Sequence, residues 1–324
     1  MSLEQALTNL NKKYGAGSVF AIGATANSCL ERTSSGSVTL DFAMGGGLPV
    51  GRIIEYFGPE SSGKTTMALL AMADVQKKGR KVAFIDAEHA LDPTLAKAYG
   101  LNVDQIYLNQ PSTAEEALDV TENLAKTGEF GLIVIDSVSS LLPSYEAESD
   151  VGANTIGLQA RFMGTSLRRL TPICGDQKCT VIFINQIREK VGVMYGNPET
   201  TSGGRALRFY SSIRVEIRPN GGTAGKIKDA AGNIIGVMTK CNVVKNKTYP
   251  PYREAIVKLI FGQGIDKAFE VSTAALLKGI IKQAGAWFTF SDKKHEFKIQ
   301  GRDALDIYLN ENPKTLEYII GLLN

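Results

Sequence analysis

Nine consecutive residues carry the clearest chemistry in this chain: Gly58-Pro59-Glu60-Ser61-Ser62-Gly63-Lys64-Thr65-Thr66. Their spacing, G-x-x-x-x-G-K-T, suits one task, the cradling of phosphate groups. An apolar, strand-like run over 52–57 precedes them and a helical pattern over 64–77 follows. In that setting backbone N–H groups of the loop and of the helix N-terminus converge on phosphate oxygens, where the helix dipole favours negative charge. Lys64 brings a cation to the β and γ phosphates of a nucleoside triphosphate, and the Thr65 hydroxyl can join a Mg²⁺ shell. A bare structural turn is the alternative, and the strand–loop–helix placement argues against it.

A second carboxylate should complete the Mg²⁺ shell from the end of a neighbouring strand. Asp136 closes the apolar run Gly131-Leu132-Ile133-Val134-Ile135. Alone, such an aspartate only starts a turn or a helix; beside a phosphate loop it reads as a metal ligand. Hydrolysis also needs a group that orients or deprotonates water. Glu88, shortly after the run that ends at Ile85, is the better candidate, with Asp86 competing on nearly equal terms. Further along, residues 187–204 mix Arg188 and Lys190 with glycines, Val191, Met194 and Tyr195. The segment is too polar for a core and too apolar for an idle loop. Single-strand binders need such cations for phosphates and such flat or apolar groups for bases; the alternative is a solvated loop. Arg161, Arg168 and Arg169 on a helical stretch over 157–170 read by themselves as a solvated helix face.

These residues must be positioned by something larger. Strand-like runs at 52–57, 81–85, 132–135, 180–184, 213–217, 237–244 and 255–261 alternate at first with helical stretches, including 64–77 and 114–126. Buried β-branched strands with crossover helices imply a parallel sheet covered on both faces. The later strands lie closer together, with turn signals at Asn220-Gly221-Gly222 and Gly232-Asn233, which predicts antiparallel hairpins at one edge. A helix is expected over residues 3–14, with Leu3, Ala6, Leu7, Leu10 and Tyr14 on one face and glycines ending it. It docks either on its own domain or on a neighbouring subunit. After Gly264 a small α+β module is expected, with a helix over 272–284, a strand at 287–290, a charged turn at 292–296 and further helices. The division is thus 1–25, 26–264 and 265–324.

Composition sets the outer bounds. The 324 residues are 44% hydrophobic and 21% charged, ordinary for a globular protein. A net charge of +3 neither demands nor forbids DNA. No apolar run approaches the roughly 18 residues of a membrane span, and residues 1–13 lack a secretory pattern, so a cytoplasmic location and no membrane partner are expected. The four scattered cysteines, Cys29, Cys174, Cys179 and Cys241, are read as reduced core residues rather than a zinc site.

Taken together, the phosphate loop, Asp86-Ala87-Glu88-His89-Ala90-Leu91-Asp92-Pro93, Asn185-Gln186-Ile187-Arg188, the glycine-rich segment 192–204 and Val243-Val244-Lys245-Asn246-Lys247 closely resemble the bacterial RecA recombinase family, over nearly the whole chain. The resemblance implies a RecA-like P-loop ATPase core with a mainly parallel sheet, an N-terminal polymerisation helix and a small C-terminal domain. It implies a DNA-dependent ATPase, using ATP and Mg²⁺, that forms head-to-tail filaments on single-stranded DNA and pairs it with duplex. The filament would also serve as a scaffold for self-cleavage of a repressor. By the same resemblance Glu88 activates the attacking water, Gln186 senses the γ-phosphate, and Lys245 and Lys247 reach a neighbour's ATP. Asp92 lies near adenine, and the first helix packs on the adjacent protomer. Ile156 wedges between bases, with Arg161, Arg168, Arg188, Lys190, Val191, Met194, Tyr195, Gly203, Gly204 and Arg205 completing the DNA surface.

The chain also departs from the family pattern. Leu95 stands where a tyrosine usually stacks on adenine, implying looser base recognition, and Phe261 replaces another tyrosine near the nucleotide. Glu189 puts an acid into the second DNA loop, and Arg205 stands where asparagine is common. The family's acidic tail does not follow Leu323, which implies less autoinhibition and a weaker Mg²⁺ requirement.

Overall fold

Four apolar runs whose side chains point alternately to two faces form the centre of the molecule. Both faces are buried, so each run is predominantly hydrophobic, and the pleat decides which side chain enters which core. Ile54, Val82, Phe84, Leu132, Val134, Ile182 and Ile184 enter one apolar core. Their neighbours Ile53, Ala83, Ile85, Ile133, Ile135, Val181 and Phe183 enter the other. Each large side chain so buried contributes about 1.5–3 kcal/mol.

The computed structural model describes residues 1–15, 18–19, 30–147, 156–189, 199–222, 225–292 and 294–323. The chain divides into two compact units, Met1–Glu31 and Arg32–Asn324. In the first, helix α1 (Leu3–Tyr14) covers the expected residues. Ser2 caps it reciprocally: its hydroxyl accepts from Gln5 N at 3.2 Å while its own N–H donates to Gln5 Oε1 at 3.0 Å. Gly15 terminates it, and none of its residues is buried.

The second unit opens with β1 (Arg32–Thr33), α2 (Val38–Met44) and β2 (Leu48–Pro49), then β3 (Ile53–Gly58), α3 (Lys64–Lys77) and β4 (Lys81–Asp86). It continues through α4 (Pro93–Ala98), β5 (Ile106–Asn109), α5 (Ala114–Lys126), β6 (Phe130–Asp136), α6 (Ser144–Ala147) and α7 (Ile156–Gln177). Next come β7 (Thr180–Glu189), β8 (Glu199–Thr201), α8 (Gly204–Tyr210), β9 (Ile213–Pro219), β10 (Lys226–Lys228), β11 (Ile234–Asn246), β12 (Arg253–Ile260) and β13 (Gly264–Ile265). The large sheet has the order β13-β12-β11-β9-β3-β7-β6-β4-β5. From β9 to β5 neighbours run parallel; β11 and β12 add antiparallel at the other edge, as the closely spaced strands and turn residues led one to expect. β3, β4, β6 and β7 therefore end at one rim of the sheet, where ligands of open α/β sheets bind.

Last come α9 (Lys267–Leu277), β14 (Lys282–Ala284), β15 (Trp287–Ser291), β16 (Glu296–Gln300), α10 (Arg302–Glu311) and α11 (Pro313–Leu323). Here the sequence expectation needs correction. α9 begins five residues before 272, because the Asp266 carboxylate caps it by accepting from Phe269 N at 3.1 Å, and it ends at Leu277. Residues 282–284, expected to be helical, instead form β14, which pairs with β15. The charged turn at 292–296 does close a hairpin, with Asp292 Oδ1 accepting from Lys294 N and His295 N. β5 escaped notice because it is a short edge strand with Tyr107 and Leu108 exposed, so no apolar run marks it. α7 runs on past 170 to Gln177 with Pro172 inside it.

A buried carboxylate joins the C-terminal elements to the core. Glu270 of α9 is 3% exposed, and it accepts from Thr39 N at 3.0 Å, Ser37 Oγ at 2.9 Å and Thr39 Oγ1 at 3.0 Å. Val38 and Phe42 of α2 pack against the same C-terminal apolar cluster. Burial pushes the Glu270 carboxyl up to about 7, against the lowering effect of its donors, and nearby Asp41 adds to the rise. An acid raised from 4.5 to about 7 stabilises the fold fully below its unfolded value, and that contribution fades as pH rises through about 7. Wild-type protein should therefore lose stability between pH 5 and 8, on the order of 1–3 kcal/mol from this group. Glu270→Gln should flatten that dependence in thermal denaturation; an identical slope in both proteins would refute it.

Candidate active site

At the end of β3 the backbone comes so close to β9 that only glycine fits. A Cβ on Gly58 would lie 1.9 Å from the carbonyl oxygen of Ile217. Gly63 takes a left-handed conformation, φ 92°, as the N-cap of α3, and that turn aims the first N–H groups of the helix into the loop. Lys64 follows at the first helical position, 8% exposed, its ammonium donating to Pro59 O at 2.6 Å and Gly58 O at 3.2 Å. Burial lowers its pKa, while Asp136, Glu88 and Glu60 act the other way. The Ser62 hydroxyl is buried with no hydrogen-bond partner among the described residues, a donor directed to nothing in the protein.

Thr65 Oγ1 donates to Asp136 Oδ2 at 2.6 Å, joining the start of α3 to the end of β6. Burial raises the Asp136 carboxyl to about 6; the Thr65 bond and Lys64 oppose this, and Glu88 adds to it. Asp86 and Glu88 are placed differently. Asp86 is buried, and its oxygens accept from Ala90 N at 3.1 Å, Leu91 N at 3.2 Å and Gln110 Nε2 at 3.2 Å, so it holds the loop after β4. Glu88 lines the cleft instead. Its Oε1 accepts from Gln186 Nε2 at 2.9 Å and from Ser137 Oγ at 2.5 Å.

The cleft around these groups has a volume of about 430 Å³. Glu60 to Thr66, Glu88, Asp136, Ser137 and Gln186 line its polar part; Tyr99, Ile184, Val237, Leu259, Ile260 and Phe261 supply the rest. Neither Asp92 nor Leu95 is among the lining residues. Asp92 Oδ1 caps α4, accepting from Thr94 N at 2.7 Å, and Leu95 packs against the apolar core. Thr66 completes the phosphate-loop segment on the cleft wall.

Sequence reasoning missed the residues that support Gln186. Asn185 is fully buried, and its Nδ2 donates to Glu55 Oε1 at 3.1 Å and to Ser202 O at 3.0 Å. Its Oδ1 accepts from Gln186 N at 3.0 Å. Glu55, also fully buried, is paired with Arg214 Nε at 2.5 Å. The signal available in sequence was a carboxylate inside an apolar strand, which has to be paired when buried.

Lys245 and Lys247 do not line this cleft. The Lys245 ammonium donates to Arg208 O at 2.5 Å and Phe209 O at 3.0 Å, and that of Lys247 to Phe209 O at 3.2 Å. Burial, with Lys247 and Arg214 close by, lowers the Lys245 pKa to about 8.

Of the expected DNA-contacting groups, Arg161 and Arg168 are exposed on α7, Arg188 on β7 and Arg205 on α8. α7 and α8 meet through small residues: a Cβ on Gly204 would stand 3.0 Å from Ala160 Cβ, and one on Gly164 would stand 3.8 Å from Ala206 Cβ. Gly203 caps α8 and packs near Val138 and Met163. Arg169 is paired with Glu122 at 2.8 Å. Ile156 begins α7. Lys190, Val191, Met194 and Tyr195 lie outside the described residues, as do 148–155 and Cys29. Cys174, Cys179 and Cys241 are buried free thiols. Among the described residues no helix is long and apolar enough to cross a membrane.

Comparison with known proteins agrees with this geometry. The family model of the RecA N-terminal domain matches residues 1–266. Protein RecA of Halalkalibacterium halodurans is 47% identical over 319 residues, 98% of this chain and 89% of the relative. Protein RecA of Acholeplasma laidlawii is 48% identical over 316 residues, 97% of this chain and 93% of the relative. The chromosomal Protein RecA of Lactococcus lactis is 48% identical over 322 residues, covering 98% and 81%. Matched by the family model over residues 1–266 and by these relatives over nearly its whole length, this chain belongs to the RecA family, DNA-dependent ATPases that form filaments on single-stranded DNA and carry out homologous pairing and strand exchange.

Proposed function

We propose that ATP is bound and hydrolysed in the cleft at the carboxyl ends of β3, β4, β6 and β7, and that its turnover sets the grip of the filament on DNA. The observation that carries this reading is the contact of Glu88 with Gln186 at 2.9 Å, beside the Thr65–Asp136 pair. Lys64 and the N–H groups at the start of α3 hold the phosphates, with Ser62 a further donor. Glu88 orients a water and takes its proton, a role worth about 10²–10⁴ in rate. Gln186 sits where β7 leaves the sheet, so a change in its partner is felt at once by the segment that follows.

The donor set fits a divalent cation: Thr65 Oγ1 and the Asp136 carboxylate are hard oxygen ligands, held 2.6 Å apart. Mg²⁺ held by them would neutralise charge on the β and γ phosphates.

Lys245 and Lys247 belong to the neighbour's reaction in this reading. Their placement away from their own cleft supports it, and Lys247 is exposed. Such a contribution is worth about 10³–10⁵ in rate in other phosphoryl-transfer enzymes. The apolar face of α1, none of it buried, suits packing on an adjacent protomer. Residues 1–25 thus serve assembly, 26–264 catalysis and DNA binding, and 265–324 form an appended module. Arg161, Arg168, Arg188 and Arg205, with Ile156, Gly203, Gly204 and the segment from Lys190 to Tyr195, provide the DNA surface. The ATP-bound filament would also present a scaffold for a self-cleaving repressor, a role that needs no turnover.

Three outcomes test these assignments. Lys64→Ala should lose ATP binding and lower DNA-stimulated hydrolysis at least ~100-fold; undiminished turnover would refute the site. Glu88→Gln should keep filaments on single-stranded DNA, seen by electron microscopy, while hydrolysis drops by about 10²–10⁴. Mixing Lys64→Ala with Lys245→Ala protein should restore part of the ATPase, because one has intact trans lysines and the other an intact cleft. A mixture no more active than its components would place Lys245 outside the neighbour's reaction.

A further inference from the structure

Two of the buried thiols meet at a single helix end. α7 stops with Lys178 in the left-handed region, φ 52°, where glycine is usual. Lys178 N donates to Gly175 O at 3.4 Å and Cys179 N to Cys174 O at 3.1 Å. This pair of bonds is the Schellman cap, in which the residues joined by the outer bond commonly pack their side chains together. Here both of those residues are cysteines, fully buried and unbridged. With 3.1 Å between N and O, ordinary bond lengths hold the two α-carbons within about 7 Å, the reach of a disulfide.

The two sulfurs have different surroundings. Burial, with Cys179 beside it, pushes the Cys174 thiol up. Burial also raises the Cys179 thiol, to about 12, but there Arg80 acts the other way. Arg80 Nη2 donates to Gly128 O at 3.1 Å and Phe130 O at 2.9 Å, while its buried Nε has no hydrogen-bond partner among the described residues. The Cys179 thiol donates to Thr180 O at 3.9 Å. A cation beside a thiol favours the thiolate, so Cys179 is the sulfur to react first. Gly175, Asp176 and Lys178 are exposed, which puts the cap at the surface. A lysine in a backbone conformation suited to glycine makes opening of that cap cheap.

We propose that Cys174 and Cys179 form a redox site, closed to a disulfide by hydroperoxides when the cap opens and reopened by dithiols. The Cys179 thiolate attacks the terminal oxygen of the hydroperoxide and breaks its O–O bond. The sulfur becomes a sulfenic acid, and an alcohol, or water from hydrogen peroxide, leaves. The Cys174 sulfur then attacks the sulfenic sulfur, forming the S–S bond and releasing water. Both sulfurs are oxidised, the peroxide is reduced, and the two thiol protons depart on the released oxygens. The bond staples the end of α7, the helix of Arg161 and Arg168, to the start of β7, the strand of Gln186. The inference does not depend on the nucleotide site.

Trypsin cuts after Lys178, between the two cysteines, so the bond has a direct signature. The full chain is treated with hydrogen peroxide, its remaining thiols are alkylated in denaturant, and its tryptic peptides are read by mass spectrometry. Peptides 170–178 and 179–188 should appear joined, lighter than their sum by the hydrogens lost, and should separate after dithiothreitol. The oxidised protein should melt about 2–6 °C higher than the same sample after dithiothreitol, as closing a short loop predicts. Cys174→Ala and Cys179→Ala should each abolish the linkage and the shift. Peptides that stay separate overturn the proposal, whether their thiols remain free, are over-oxidised or pair with Cys29 or Cys241. So does a joined pair in wild type that melts no higher than the same sample reduced, a comparison that needs neither variant to fold.

Discussion

Everything in the cleft depends on the contact between the last residue of β3 and β9. Gly58 lies against the carbonyl of Ile217 with no room for a side chain. A methyl group there would force β3 away from β9 or swing the loop outward. Either change moves the start of α3, and with it Lys64, whose ammonium is held by the loop carbonyls, and Thr65, whose hydroxyl reaches Asp136 on β6. One backbone approach therefore sets the position of the groups at the start of α3 that meet Asp136 of β6.

A buried charge network ties the cleft to the segments beyond it. Glu55 sits fully buried in the middle of β3 and is compensated by Arg214 and Asn185. The Arg214 guanidinium also lies 4.3 Å over the Phe57 ring. Breaking such a pair leaves an uncompensated charge in a dry interior, at a cost of about 3–5 kcal/mol. Asn185 cannot satisfy Glu55 without also fixing Gln186 N and Ser202 O. The residue facing Glu88 and the start of α8 thus share one anchor. Arg208 and Phe209, whose carbonyls hold Lys245 and Lys247, lie on that same α8.

The C-terminal elements are joined to the core by similar means. Glu270 satisfies donors at the start of α2, and Val38 and Phe42 on that helix pack against the C-terminal cluster. The module thereby leans on an element packed against β12, whose own C-terminal end reaches the cleft at Leu259 and Ile260.

The sequence by itself determined the phosphate loop, the alternation of strands and helices around it, the antiparallel edge and the first helix. Those features depend on residues close together in the chain: the spacing of glycines, lysine and threonine, an apolar helical repeat, a β-branched run. Tertiary structure decided which carboxylate faces the cleft, because Asp86 is claimed by Gln110 from beyond β5 while Glu88 meets Gln186 from β7. It also placed Tyr99 rather than Leu95 or Asp92 on the cleft wall, and turned residues 282–284 from an expected helix into a strand by pairing them with β15. For the two carboxylates the deciding partners are distant in sequence, and only folding brings their hydrogen-bonding groups within reach; for 282–284 the partner is the strand that follows directly, and the pairing of the two rather than the composition of either decides the outcome.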